Sequence, residues 1–390
     1  MSRAGERVES RAAGFRRRDS VRVSFVRASL GMRSGALSSR RFMACLRSLV
    51  AVGLLAAAAL TALPAAAAAA DPASAVILMY HRFGQDRLPS TSIRIDQFEH
   101  HIERLTSGSH TVLPLEEVAL ALVEGRPLPD RTVAITIDDT DRSIVTEALP
   151  RLKAAGLPFT VFVSTDAVGQ VGGALTWDDI RLLEAGGAAI GAHGAAHDHM
   201  AFMTRAAMEE DLVRMAATFL QELGEVPRLF AYPYGEYGVE LVSMVRDAGY
   251  IAAFGQHSGV ATAGANRFTL PRFAMNERYG AADRFATVID TLPLPATGIV
   301  PQDMPIATGQ PNPPAVGFTA LESAGPLHRL ACFASNGAEV TLGMIGARRV
   351  ELRLDRPFPP GRSRINCTIP AGDSRFRWLG IPFVVPGGAG

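Results

Sequence analysis

Cysteine is scarce: the chain holds three in 390 residues, and one of them, Cys45, falls in a leader-like segment. The remaining two, Cys332 and Cys367, make a poor metal site by themselves. In an exported chain they are free to pair, with a buried unpaired arrangement as the alternative. Net charge is scarce as well, +1 at neutral pH, but that value averages two unlike regions. Residues 1–70 carry twelve arginines against three acids, +9, which leaves −8 for residues 71–390. A mildly acidic remainder has no electrostatic reason to seek nucleic acid. With 48% hydrophobic and 20% charged residues, the composition is that of a globular protein, and the length suits one large domain with a smaller one.

The basic excess belongs to targeting. Arg47 precedes residues 49–70, a 22-residue stretch without a charge that ends in an alanine run before Asp71. A positive start, an apolar core and small residues at the end read as a secretory signal peptide. Residues 1–70 are therefore taken as leader and signal, with Met43 as a more usual start and residues 1–42 as an over-extended start or a long leader. The protein is expected to be exported, to the periplasm or the extracellular space. An uncleaved membrane anchor is the alternative, since the stretch is long enough to span a bilayer; otherwise membrane association would be transient or peripheral. Oligomeric state is not legible.

From residue 75 onward, apolar β-branched runs alternate with helical periodicity. Strands are expected at 75–79, 131–137, 159–164, 188–191, 230–232, 250–254 and 270–273. Helices are expected at 96–105, 143–155, 177–185, 203–223 and 239–248. The alternation indicates an α/β fold with a parallel sheet, and its repetition favours a closed or nearly closed barrel, with functional residues after strand C-termini. His81, Asp138, Asp139, His193, Tyr234 and His257 all fall at or soon after such ends. Residues 296–316 hold five prolines and little periodicity, which suggests a linker. Residues 317–390 read as a small β-rich domain whose cysteines would staple distant strands.

Two clusters carry chemistry. Asp138 and Asp139 adjoin at the end of a buried strand and point in different directions, so one suits a metal and the other a proton from water. A solvated acidic loop is the plain alternative. His193, His197 and His199 fall within seven residues, in a chain with nine histidines. Imidazoles with a carboxylate suit a divalent ion with an open position, most readily Zn, with Co, Ni or Fe also fitting. A polar loop with casual histidines is the alternative. Tyr232, Tyr234, Tyr237 and Trp177 are candidate sugar-stacking walls or ordinary packing.

These motifs, in this order, resemble the polysaccharide deacetylase family, whose catalytic domain is named NodB, over residues 75–295. Thr136-Ile137-Asp138-Asp139 resembles the first family motif, implying Asp138 as general base and Asp139 as metal ligand. His193 to His199 resembles the second, implying His193 and His197 as the other ligands. Phe230-Ala231-Tyr232-Pro233-Tyr234-Gly235 resembles the third, which lines the substrate groove and implies an oxyanion role for the Tyr234 backbone N–H. Leu270-Pro271-Arg272 resembles the segment whose arginine orients the base. Tyr80-His81 and His110 to Glu117 resemble the subgroup of exported poly-N-acetylglucosamine deacetylases.

The resemblance implies an irregular (β/α)7 barrel over residues 71–295 and metal-assisted removal of N-acetyl groups from a polysaccharide or oligosaccharide. The chain also departs from the pattern. Thr140 stands where glycine is usual, Ala231 where an arginine is common, and Asn266 where an aspartate often stands. The late Leu-x-x-His motif is not evident, which leaves the general acid open. His257 is the first substitute, with His81 and His199 behind it. An O-acetyl esterase on the same fold, or a glycan-binding protein with a decayed site, are the alternatives.

Overall fold

The computed structural model describes residues 73–170 and 172–387; the expectations for residues 1–70, including the Met43 start, lie outside them. Six strands run parallel in sequence order: β1 (Ser74–Tyr80), β2 (Thr132–Asp138), β3 (Phe159–Val163), β4 (Ala188–Ala192), β5 (Leu229–Ala231) and β6 (Ala252–Phe254). On the other edge of β1, β7 (Ala261–Thr262) pairs antiparallel, and β8 (Phe273–Ala274) pairs parallel further along. The seven-stranded path from β7 to β6 curls into a half-barrel.

Among the described residues, seven α-helices pack against it: α1 (Ile95–Ser107), α2 (Leu115–Glu124), α3 (Leu149–Ala154), α4 (Trp177–Ala185), α5 (Arg205–Leu223), α6 (Val239–Asp247) and α7 (Ala282–Ile289). Expected helix 143–155 is a π-turn, Ile144–Ala148, that runs into α3. The sequence reading passes over α2 and α7.

The strands are buried on both faces, which is why they read as apolar runs rather than as alternating ones. Val133, Ile135 and Ile137 of β2 join the large core formed with most of the helices. Ala134 belongs to a second core with Ile77, Phe162, Leu229 and Phe254, capped by Leu115, Val118 and Leu122 of α2. Strands far apart in sheet order meet in this second core, so it fills the concave side. A strand side chain returns to the same face every second residue. The parity that points Ala134 inward therefore also points Thr136 and Asp138 inward, and Asp138 comes last, at the C-terminal mouth.

The C-terminal region is a β-sandwich. One sheet runs in the order Leu292–Pro293, Phe376–Val385, Gly361–Pro370, Ala331–Ala334, and the other in the order Ala296–Val300, Val316–Ala320, Arg349–Leu354, Val340–Ile345. Phe318, Val350 and Leu352 meet Ile365, Ile381 and Phe383 between them. Residues 296–316, expected as a linker, thus hold a strand and three buried side chains, Met304, Ile306 and Val316. The five prolines all follow this short edge strand, from Pro301 onward. Cys332 and Cys367 form a disulfide, but they face each other on neighbouring strands of one sheet rather than stapling distant ones. Among the described residues no helix is long and apolar enough to cross a membrane.

Gly191 in β4 has no room for a side chain: a Cβ there would overlap the Phe162 ring. Gly191→Ala should therefore destabilise the fold by about 1–3 kcal/mol through overpacking, read as a lower urea midpoint; an unchanged midpoint would contradict this packing.

Candidate metal centre

Asp138 ends β2 wholly buried, and an ionised carboxylate there needs a partner. Arg272, equally buried, supplies it with a two-pronged contact, Nη1 to Oδ1 at 2.6 Å and Nη2 to Oδ2 at 2.7 Å. The guanidinium is itself held, Nε donating to the Gly255 carbonyl at 2.9 Å and Nη1 to Thr136 Oγ1 at 3.2 Å. Burial pushes the Asp138 carboxyl up, but the Arg272 charge and hydrogen bonds outweigh it and hold the group below the ordinary range. Gln256 adds a longer contact, Nε2 to Oδ2 at 3.4 Å.

The next residue turns away. Asp139 has a left-handed backbone, φ 75°, which swings its carboxylate out of the interior and toward the histidine loop. Its Oδ1 lies 3.2 Å from His197 Nε2 and 3.8 Å from His193 Nε2. His193 follows β4, its N–H donating to the Val163 carbonyl and its own carbonyl accepting from Ser164 Oγ at 2.7 Å. His193 Nδ1 lies 2.7 Å from the Ala231 carbonyl, which can only accept, so Nδ1 carries the proton. Nε2 is then a buried lone pair with no partner in the protein.

That orphaned atom is what a missing cation would satisfy. Asp139, His193 and His197 bring one ligand atom each within 4.8 Å of one another. Two imidazoles and a carboxylate suit a divalent ion with a position left open. Burial lowers the His193 value to about 4, so this ring is neutral at physiological pH, as a ligand must be. Burial also pushes His197 down, but the Asp139 carboxylate bonded to it outweighs this and holds it above its ordinary value. Burial would raise Asp139 too; its histidine neighbours prevail and it stays ionised.

The loop between the two histidines is pinned from α5. Asp211, 2% exposed, accepts from Ala195 N at 2.8 Å and Ala196 N at 3.0 Å, one bond on each carboxylate oxygen. It forces the chain through Gly194 (φ 72°) and His197 (φ 57°), so both imidazoles return to one point. Sequence reasoning missed Asp211, which lies on the second turn of an ordinary amphipathic helix and carries no local mark.

The triad's exposed members face a cavity of about 910 Å3, lined also by His81, Arg82, Asp141, Arg142, Tyr234 and Gln256. Asp141 accepts from Arg82, Gln85 and Ser143, tying the segment after β1 to the turn after β2. Tyr234, left-handed at φ 58°, packs its ring on His199 (centroids 4.0 Å, interplanar 7°) and edge-on to His197 at 4.6 Å. His199 Nδ1 sits 2.7 Å from Glu236 Oε2, a carboxylate only 2% exposed.

Other expected residues go elsewhere. His257 lines a second cavity of about 530 Å3, together with Tyr237, Met304 and Trp378, and not the metal cavity. Its carbonyl accepts from Arg272 N. Tyr232 is fully buried with its hydroxyl donating to the Phe268 carbonyl, and Trp177 packs edge-on against Phe219. Of the four candidate aromatic walls, Tyr234 lines the metal cavity.

Residues 125–253, which contain all three ligands, match the polysaccharide deacetylase family model. Over that third of the chain the sequence is similar to the polysaccharide deacetylases. Among curated relatives, YxkH of Bacillus subtilis is 24% identical over 203 residues, 52% of this chain and 71% of that protein. The poly-beta-1,6-N-acetyl-D-glucosamine N-deacetylase of Staphylococcus aureus is 22% identical over 231 residues, covering 52% of this chain and 79% of that protein. Among solved structures, IcaB from Ammonifex degensii aligns with a TM-score of 0.50 and 25% identity, covering 57% of this chain and 99% of that one. The Streptococcus pyogenes deacetylase PplD shares the fold at TM-score 0.52 and 20% identity, over 56% of this chain and 99% of that one. The Asp–His–His cluster is consistent with the active site of a metal-dependent deacetylase.

Two outcomes follow for metal loading. A proton on His197 competes with the ion, and its value in the metal-free protein is raised; affinity should therefore weaken as pH falls through that value, while His193 contributes only near pH 4. Calorimetric metal titrations across pH check this, and a flat profile between pH 5 and pH 8 would contradict it. Asp211→Ala should weaken metal affinity by about 10–100-fold through loss of the loop pin, with the same titration as readout.

Proposed function

We propose that this chain is a polysaccharide deacetylase that removes N-acetyl groups from an acetylated polysaccharide or oligosaccharide outside the cytoplasm, with zinc as the resident ion. The carrying observation is the side-by-side placement of two unlike carboxylates. Asp138 is sealed in and held by Arg272, while Asp139 faces the open cavity with two imidazoles. Zinc suits that donor set, and Co, Ni or Fe would also accept it. When bound, the ion supplies Lewis acidity at the open side of the cluster.

The protein's own groups divide the remaining work. Asp138 accepts the proton of the attacking water, and Arg272 both aims the carboxylate and keeps it ionised. The Tyr234 backbone N–H is assigned to the developing oxyanion, where charge appears only in the transition state. For the proton given to the departing amine, His81 replaces His257 as the assignment. Of the three histidines considered, His81 lines the metal cavity as a non-ligand, whereas His257 lines the other cavity and His199 is engaged by Glu236 and Tyr234.

The Staphylococcus aureus relative, named for N-deacetylation of a glucosamine polymer, supports the N-acetyl reading. The Cys332–Cys367 disulfide supports an oxidising, extracytoplasmic compartment. Residues 71–295 are taken as the catalytic unit and 317–390 as the accessory unit, with the sandwich beginning upstream at Leu292.

Acetate release from N-acetylglucosamine oligomers tests the reading. Asp138→Asn should lower kcat by about 10²–10⁴-fold, with metal content retained. His81→Ala should slow amide hydrolysis by about 10²-fold but an aryl acetate far less, because a phenol leaves without a proton donor. Release from O-acetylated but not N-acetylated glycans would replace the N-acetyl assignment with an esterase.

A further inference from the structure

The metal cavity has one wall that does not come from the half-barrel. Arg362, from the sandwich strand Gly361–Pro370, lines it beside His197, Tyr234 and Gln256. Its Nη1 donates to the Tyr234 carbonyl at 2.9 Å and to Gln256 Oε1 at 3.3 Å. Its Nε stands 3.9 Å from Glu236 Oε1, and its guanidinium carbon lies 5.5 Å from the centre of the Tyr234 ring. One side chain therefore grips the backbone, the ring and the following carboxylate of a single turn.

That turn needs gripping. Tyr234 and Gly235 both have positive φ, 58° and 69°, and the short 3-10 turn Pro233–Gly235 that holds them is non-helical at Tyr234. The turn carries the ring that packs on the ligand His197 and on His199, and Gly235 lies so close to Gln256 that a Cβ would overlap it. Left-handed non-glycine backbone is strained and persists only where the surroundings impose it.

The sandwich is seated firmly enough to do so. At Gly380 its neighbouring strand approaches the Ser258 carbonyl so closely that a Cβ would collide with the backbone. Trp378 packs edge-on against Phe273 at 5.4 Å, and Arg364 Nη2 donates to Tyr279 Oη at 3.2 Å. Arg362 thus projects from a surface whose position relative to the Gln256–Ser258 segment is fixed.

We propose that Arg362 is a positioning residue, delivered by the C-terminal region, that holds the Tyr234 turn in register with the metal ligands, so that the catalytic site is completed by the sandwich. The proposal rests on the deacetylase reading for its kinetic consequence, but not for its structural one. Arg362 does not touch the reacting atoms; it acts through the Tyr234 backbone, which is assigned to the oxyanion. Its loss should therefore be felt in the transition state and not in ground-state binding.

The experiment compares wild type, Arg362→Ala and Arg362→Lys in the full chain, each loaded with zinc and checked for metal content. Acetate release from an N-acetylglucosamine oligomer gives kcat and KM, and hydrogen exchange reports the amides of residues 234–236. The alanine variant should lose about 10–100-fold in kcat with KM changed less than about twofold. Exchange at 234–236 should rise in it while the β1–β6 amides stay protected. Lysine, which keeps one donor to the Tyr234 carbonyl, should restore part of both.

A kcat within about twofold of wild type, or unchanged exchange at 234–236, overturns the proposal. A rise in KM alone would also overturn it, by making Arg362 a direct substrate contact. If wild type releases no acetate, the deacetylase reading fails, and the exchange data still decide whether Arg362 holds the turn.

Discussion

A carboxylate at the inner end of a buried strand is stable in its charged form only if something inside the protein answers it. At Asp138 that answer is the Arg272 fork, and both side chains are sealed from solvent. Removing one partner of such a pair costs about 3–5 kcal/mol, because the other is left charged and unanswered. The pair dictates more than its own geometry. It brings the segment after β7 back across the mouth of the half-barrel, where Arg272 also binds the Gly255 carbonyl following β6. It packs the guanidinium over the Phe162 ring, 5.4 Å away, in a core too tight to admit a side chain at Gly191. The small residues of the concave face leave space for the arginine, and the arginine makes an ionised carboxylate tolerable there.

Around this fixed point the metal ligands are set mainly by backbone. His193 is oriented by a carbonyl of the neighbouring strand, and the loop to His197 by two amides docked on Asp211. Six non-glycine residues have positive φ among the described residues, and Asp139, His197 and Tyr234 are three of them. Strain concentrated in this way is a price of geometry that only a rigid surround can sustain. Here that surround is the parallel ladder on one side, α5 on another and the sandwich on the third.

What could be read from the letters follows from how far apart the partners lie. Asp138 with Asp139, and His193 with His197, are near neighbours after apolar strands, so parity and spacing expose them. Arg272 was accessible only through the resemblance of its Leu-Pro-Arg segment, since nothing local says that it reaches Asp138. Asp211, Glu236, Gln256 and Arg362 look like any polar residue on a helix, loop or strand; their meaning lies in partners brought together by the fold. His257 shows the converse. It follows a strand end, as site residues do, yet it lines the second cavity and not the one at the metal ligands. The prolines from Pro301 onward led to a linker reading that also took in the edge strand Ala296–Val300 before them.

The two adjacent aspartates show how one backbone turn can separate chemical roles. Were residue 139 to continue the extended strand, its side chain would point to the outer, helix-covered face, among Val133, Ile135 and Ile137. The left-handed turn at φ 75° instead brings its carboxylate to the same mouth as Asp138, but on the solvent side. There one oxygen meets two imidazoles while the other lies 4.0 Å from Arg82. Asp138 meets a guanidinium on both oxygens and is thereby unavailable as a ligand in the same plane. Because the arginine occupies the inner carboxylate and the histidines occupy the outer one, the two acids do not compete for a single cation. A water held between them would have a ligand cluster on one side and a proton acceptor on the other, which is the asymmetry that hydrolysis needs.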